Sequence, residues 1–195
     1  LLLLNRPDDA RAHAELAIAS APSQAHQALA LIAVSRQRDD EALRQADLAA
    51  AAEPGLPMPA FIRGTLAYNH QQYEPALGFL LQAQKGYAGR SAQPRDLHFM
   101  IGDSLARLER YKEAEPYLEE EVRLYPQHVR ARAGLAMLYQ SMGRNAEAER
   151  ALGDLVRDVP SPDAADTAAR VWRMFGRPDR ADSVADEARR RLRER

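Results

Sequence analysis

The stretch Arg95–His128, RDLHFMIGDSLARLERYKEAEPYLEEEVRLYPQH, restricts the folds open to this chain more than any other feature. Leu97, Ile101, Leu105 and Leu108 recur at spacings of four, four and three, an apolar stripe of helical period. From about Tyr111 the pattern repeats with Ala114, Tyr117, Leu118 and Val122, and Pro126 stops it. The stretch therefore reads as two amphipathic helices folded back on each other. Gly102 stands in the middle of the first helix, where glycine costs roughly 1 kcal/mol relative to alanine. A residue without a side chain lets another helix come close, and Ala114 offers the matching small surface.

These residues carry a resemblance. His98-x-x-Ile101-Gly102-x-x-Leu105, then Ala114-x-x-x-Leu118 and Pro126, resembles the tetratricopeptide repeat (TPR) pattern of Trp, Leu-Gly, Tyr, Ala, Phe and Pro over 34 residues. His98 stands where Trp is commonest and Leu105 where Tyr is. The pattern recurs in Arg132-x-x-Leu135-Ala136-x-x-Tyr139 with Ala148, Leu152 and Pro160. Earlier copies run through Ala60, Arg63, Gly64, Ala67, Ala76 and Leu80, and through His26, Leu29, Ala30, Ala33, Ala42, Ala46 and Pro54. A last copy uses Ala165, Ala168, Ala169, Trp172, Ala181 and Ala185. Residues 1–22 supply a truncated one through Ala10, Ala14, Ala17 and Pro22.

The resemblance thus covers nearly all 195 residues and implies an all-α, right-handed α-solenoid of antiparallel helix hairpins. The expected layout is one solenoid over 1–195: a partial repeat at 1–22, then repeats at about 23–56, 57–90, 95–128, 129–162 and 162–195. Residues 91–94 are an insertion, and with the preceding loop from Gly86 they form the one candidate hinge. Alanine-rich apolar content (46% hydrophobic, 6% aromatic) favours helices packed through small residues.

Local features follow from the same register. Asp8 and Asp9 favour a helix start, and Ser23 is an expected N-cap. Arg63 replaces the usual Leu, so its stem should lie on apolar surface with its charge led outward. Glu119 and Arg123 should pair at i,i+4. The run Glu113, Glu115, Glu119, Glu120 and Glu121 reads as a solvated face, and the tail arginines 189, 190, 191, 193 and 195 read as a solubilising cap.

Several functions find no support. No glycine opens a phosphate loop, and Gly102-Asp103-Ser104 sits inside a helix rather than at a nucleophile elbow. The histidines show no ligand spacing, so neither a metal nor a cofactor is expected, and His26 and His98 are read as packing residues. A net charge of −1 argues against nucleic acid as partner. Without cysteine there is no disulfide framework, and the compartment, cytoplasmic or periplasmic, stays open. Leu1–Leu4 is too short and lacks a basic leader for a signal peptide. In the repeat register these leucines end the first helix of a hairpin, so the chain is expected to be a piece of a longer protein. It is also expected to self-associate through that N-terminal edge.

The resemblance implies that the first helix of each hairpin lines a concave face. Residues off the packing stripe there are Gln27, Leu31 and Val34; Phe61, Thr65, Tyr68 and Asn69; Phe99, Asp103 and Arg107; Ala133, Met137, Gln140 and Ser141; and Asp166, Arg170 and Arg173. Phe61, Tyr68 and Phe99 are expected to form an apolar pocket, with Asp103 and Arg107 adding polar contacts. The carboxylate clamp of some TPR arrays is absent, since Gln27, Leu31 and Ile62 hold its places. The expected function is a non-catalytic scaffold binding a protein or peptide segment, without membrane insertion. Two alternatives stand beside it: the C-terminal repeat module of a larger, exported or cytoplasmic enzyme, and a self-assembly domain.

Overall fold

The computed structural model describes residues 7–90 and 93–193, and among these every regular element is an α-helix. The chain divides into two compact units, one reaching Met100 and the other starting at Ile101. The first holds α1 (Pro7–Ala17), α2 (Pro22–Ser35), α3 (Asp39–Ala52), α4 (Met58–Asn69) and α5 (Tyr73–Tyr87). The division falls inside α6 (Leu97–Arg107). The second unit continues with α7 (Tyr111–Leu124), α8 (Val129–Ser141), α9 (Asn145–Asp158), α10 (Pro162–Met174) and α11 (Pro178–Arg193).

Each hairpin turns on the same device. Gln37, Gln71, Glu109, Gly143 and Gly176 all have left-handed backbone, with φ between 56° and 72°. Behind each, the next N–H donates 2.9 Å back across the helix end: Arg38 to Ala33, Gln72 to Ala67, Arg110 to Leu105, Arg144 to Tyr139 and Arg177 to Trp172. This is the Schellman closure, which satisfies carbonyls that a helix end otherwise leaves unpaired. The left-handed residues lie 34, 38, 34 and 33 positions apart, so the extra four residues fall between Gln71 and Glu109. Ser91 and Ala92 of the expected insertion lie outside the described residues, as do Leu1–Leu4.

Small residues set the helix spacing. Ala42, Ala76, Ala114, Ala148 and Ala181 occupy one register slot in five hairpins and are all fully buried. Opposite two of them the first helix presents glycine. A Cβ on Gly102 would stand 2.8 Å from Leu118 Cγ and 3.2 Å from the Ala114 carbonyl; one on Gly64 would stand 2.7 Å from Leu80 Cγ. In the first unit Ala30, Ala33, Ala42, Ala46, Ile62 and Leu66 form one buried cluster. In the second, Leu152, Leu155, Ala168 and Trp172 anchor another. Side by side, α2 packs on α4 in the first unit and α8 on α10 in the second.

Two local expectations change. Ser23 is not the N-cap: Pro22 takes the first helical position behind Ala21, and the Ser23 hydroxyl lies 2.8 Å from Glu53 at the end of α3. Arg123 pairs with Glu120 at i,i+3 through two 2.6 Å contacts rather than with Glu119. A side-chain cap does form at Ser161, at the start of α10, whose hydroxyl accepts from the Ala164 N–H at 3.2 Å. Arg63 behaves as its slot requires, reaching outward to pair with Asp47. Of the tail arginines, Arg195 lies outside the described residues, and only the backbone of the other four is described.

Candidate functional site

The expected binding residues lie on the first helices of the hairpins, and each unit places its own set. In the first unit Phe61 and Phe99 are buried, each only 6% exposed. Tyr68 is half-buried, set edge-on to Phe99 at 6.4 Å and to Tyr73 at 6.0 Å. Thr65 is half-buried with its hydroxyl donating to the Phe61 carbonyl at 2.9 Å, and Asn69 is exposed. The open apolar pocket expected from the sequence is thus filled by its own aromatics. Phe61 and Phe99 are out of solvent, while Tyr68, Thr65 and Asn69 keep part of their surface accessible.

In the second unit Asp103 and Arg107 sit on one turn of α6, 3.5 Å apart, with Arg107 exposed. On α8, Met137 and Gln140 are half-buried, and the Ser141 hydroxyl donates to the Met137 carbonyl at 3.1 Å. The neighbouring α10 exposes Arg170, 3.2 Å from the Thr167 hydroxyl, and Arg173, 3.5 Å from Asp182. The helices α8 and α10 that carry Met137, Gln140, Arg170 and Arg173 are packed side by side.

The second helices carry a different chemistry. Arg144 reaches back to Glu115 of the preceding hairpin at 2.7 Å, and Arg177 repeats this with Glu149 at 3.2 Å. Arg144 also pairs with Glu147 and lies 4.4 Å over the Tyr139 ring. Those two carboxylates, Glu147 first, hold the guanidinium firmly charged. The Tyr139 hydroxyl donates to Glu119 at 3.1 Å; burial, then that carboxylate, push its pKa up to about 12.

The acidic run on α7 is the solvated face read from the sequence at Glu113 and Glu119, which are exposed, but not throughout. Glu115 and Glu119 bind the next hairpin, and Glu121 is fully buried, 2.9 Å from His128 Nδ1. The register held the missing signal: the slots equivalent to Glu121 are Ala49, Ala83 and Leu155, all fully buried. A carboxylate there must be paired, because burying an uncompensated charge is costly. Glu121 and His128, both out of solvent, tie the end of α7 to the start of α8 and have no access to a substrate.

Comparison with known proteins agrees with this geometry. The tetratricopeptide repeat family model matches residues 105–171. Solved structures with the same fold include PilF of Pseudomonas aeruginosa, at 18% identity over 97% of this chain and 86% of that one, with TM-score 0.71. YrrB, described as a TPR protein with an unusual peptide-binding site, is 22% identical over 90% of both chains, with TM-score 0.65. A thermophilic TPR protein of Thermus thermophilus is 24% identical over 88% of this chain and 93% of that one, also at 0.65. No curated protein sequence matches the chain. The chain has the fold of tetratricopeptide repeat proteins, and the match to that family's model lies within it at residues 105–171. None of the described helices is long and apolar enough to cross a membrane.

Proposed function

We propose that this chain is a protein-interaction scaffold that holds a partner segment on the first-helix face of its hairpins. One observation carries the reading. Tyr68 packs edge-on against the buried Phe99 and against Tyr73, with Thr65 and Asn69 close by on the same helix, so an aromatic ring is held at a surface where polar groups can orient a backbone. Aromatics of this kind supply much of the binding energy in protein interfaces. Within the second unit, Met137 and Gln140 on α8 and Arg170 and Arg173 on the neighbouring α10 offer a separate set of contacts. The peptide-binding site reported for YrrB is consistent with this use of the fold.

Selection of a displayed peptide library against the purified chain tests the proposal. Selected peptides should lose about 2 kcal/mol of affinity on Tyr68→Ala. They should be indifferent to Leu48→Lys, an exposed position on α3. Affinity that follows Leu48 and ignores Tyr68 would move the binding face to the second helices.

A further inference from the structure

The second unit carries a surface feature that first-helix binding leaves unused. Between α9 and α11 lies a cleft of about 410 Å³, within the size range of small-molecule sites. Its floor is apolar: Leu152 and Trp172 are buried beneath it, and Val156 and Val184 are half-buried beside them. Gly153 also lines it. A Cβ built on Gly153 would find no atom within 4 Å, so no close contact inside the chain requires glycine there. Glycine in a helix interior costs stability; here it leaves room over the cleft for something else.

The rim decides the charge of the occupant. Glu149 is held by Arg177 at 3.2 Å, and Arg157 by Asp154 at 2.7 Å and Asp158 at 2.8 Å. Glu187 also has a partner. Arg180, exposed at the edge, makes no ion pair among the described residues. An apolar floor beside an uncommitted guanidinium fits a molecule with an apolar body and a negative end.

We propose that this cleft binds an anionic amphiphile, its aromatic or branched aliphatic body lying on Trp172, Val156 and Val184 over Gly153 and its carboxylate or sulfonate meeting Arg180. The proposal stands apart from partner binding on the first helices. Trp172 is the only tryptophan, so its emission reports on this region alone.

Titration of the full chain with anilinonaphthalene sulfonate, and with its uncharged analogue phenylnaphthylamine, tests it. The sulfonate should quench Trp172 saturably. Gly153→Leu, which fills the cleft, should abolish that quenching; Ser183→Phe narrows it from the α11 side and should do the same if the glycine variant fails to fold. Arg180→Gln should weaken the sulfonate about tenfold, the loss expected of one charged hydrogen bond, and leave phenylnaphthylamine unchanged. Quenching that persists in the folded cleft-filling variant overturns the proposal. So does equal weakening of both dyes by Arg180→Gln, or no saturable quenching in the parent chain.

Discussion

Gly64, Gly78, Gly102 and Gly153 stand inside helices in two contrasting surroundings, and alanine at each should separate them by sign. At Gly78 and Gly153 a Cβ meets nothing within 4 Å, so alanine should stabilise by roughly 0.5–1 kcal/mol through helix propensity alone. At Gly102 the same Cβ would stand 2.8 Å from Leu118 Cγ and 3.0 Å from its Cδ2, well inside the 3.5–4.0 Å or so of favourable carbon contacts. Leu118 is 1% exposed and has nowhere to swing, and the Ala114 carbonyl at 3.2 Å belongs to a helix backbone. Overpacking of this kind costs about 1–3 kcal/mol. Propensity cancels between Gly102→Ala and Gly153→Ala, so their difference measures that overpacking cost directly. For a chain of this size each 1 kcal/mol moves Tm by about 2–4 °C. Gly102→Ala should therefore melt at least a few degrees below Gly153→Ala. Gly64→Ala should follow Gly102, since Leu80 Cγ stands 2.7 Å away, and Gly102→Leu should be worse than either alanine. Thermal and urea melts followed by helical circular dichroism read all of these. Gly102→Ala and Gly153→Ala shifting Tm equally and in the same direction would refute the idea that glycine sets the α6–α7 spacing.

Glu109 is held at φ 60° at the hairpin turn where Gly143 and Gly176 serve elsewhere. Glu109→Gly should raise stability by about 1 kcal/mol in urea melts, and Gly143→Ala should lower it by about as much. Glu121→Ala removes a buried carboxylate and its hydrogen bond to His128, and the loss should be about 1–3 kcal/mol, read by urea melts. Burial raises the Tyr87 pKa to about 12. The folded state therefore keeps a proton that the unfolded chain gives up near pH 10, and stability from this group is complete below that pH and lost on going from 10 to 12. Melts across that range should show the decline in the parent and a weaker one in Tyr87→Phe.

The parts of the fold readable in the sequence were those written in small residues. The slot of Ala42, Ala76, Ala114, Ala148 and Ala181 is buried throughout because two helix backbones meet there, and only a short side chain fits. Turn chemistry was harder to read: Gln37, Gln71 and Glu109 take left-handed backbone without being glycine, so the device shows only in the hydrogen bonds. Charge misled most on α7. Glu121 looks like its solvated neighbours in sequence, yet the slot it shares with Ala49, Ala83 and Leu155 buries it. The aromatics were misjudged for a related reason. Phe61 and Phe99 stand off the main stripe, but α4 and α6 leave space there that their rings fill, and only Tyr68 remains near the surface.

Site-directed photo-crosslinking tests the scaffold reading most directly. A benzoylphenylalanine is placed at Thr65, Asn69 or Gln140 on first helices, and at Leu48, Gly78 or Arg150 on second helices, and each variant is exposed to one selected peptide. The account predicts crosslinks from a first-helix position that unlabelled peptide competes away, and none from the second helices. Competed crosslinks confined to Leu48, Gly78 or Arg150 would contradict it.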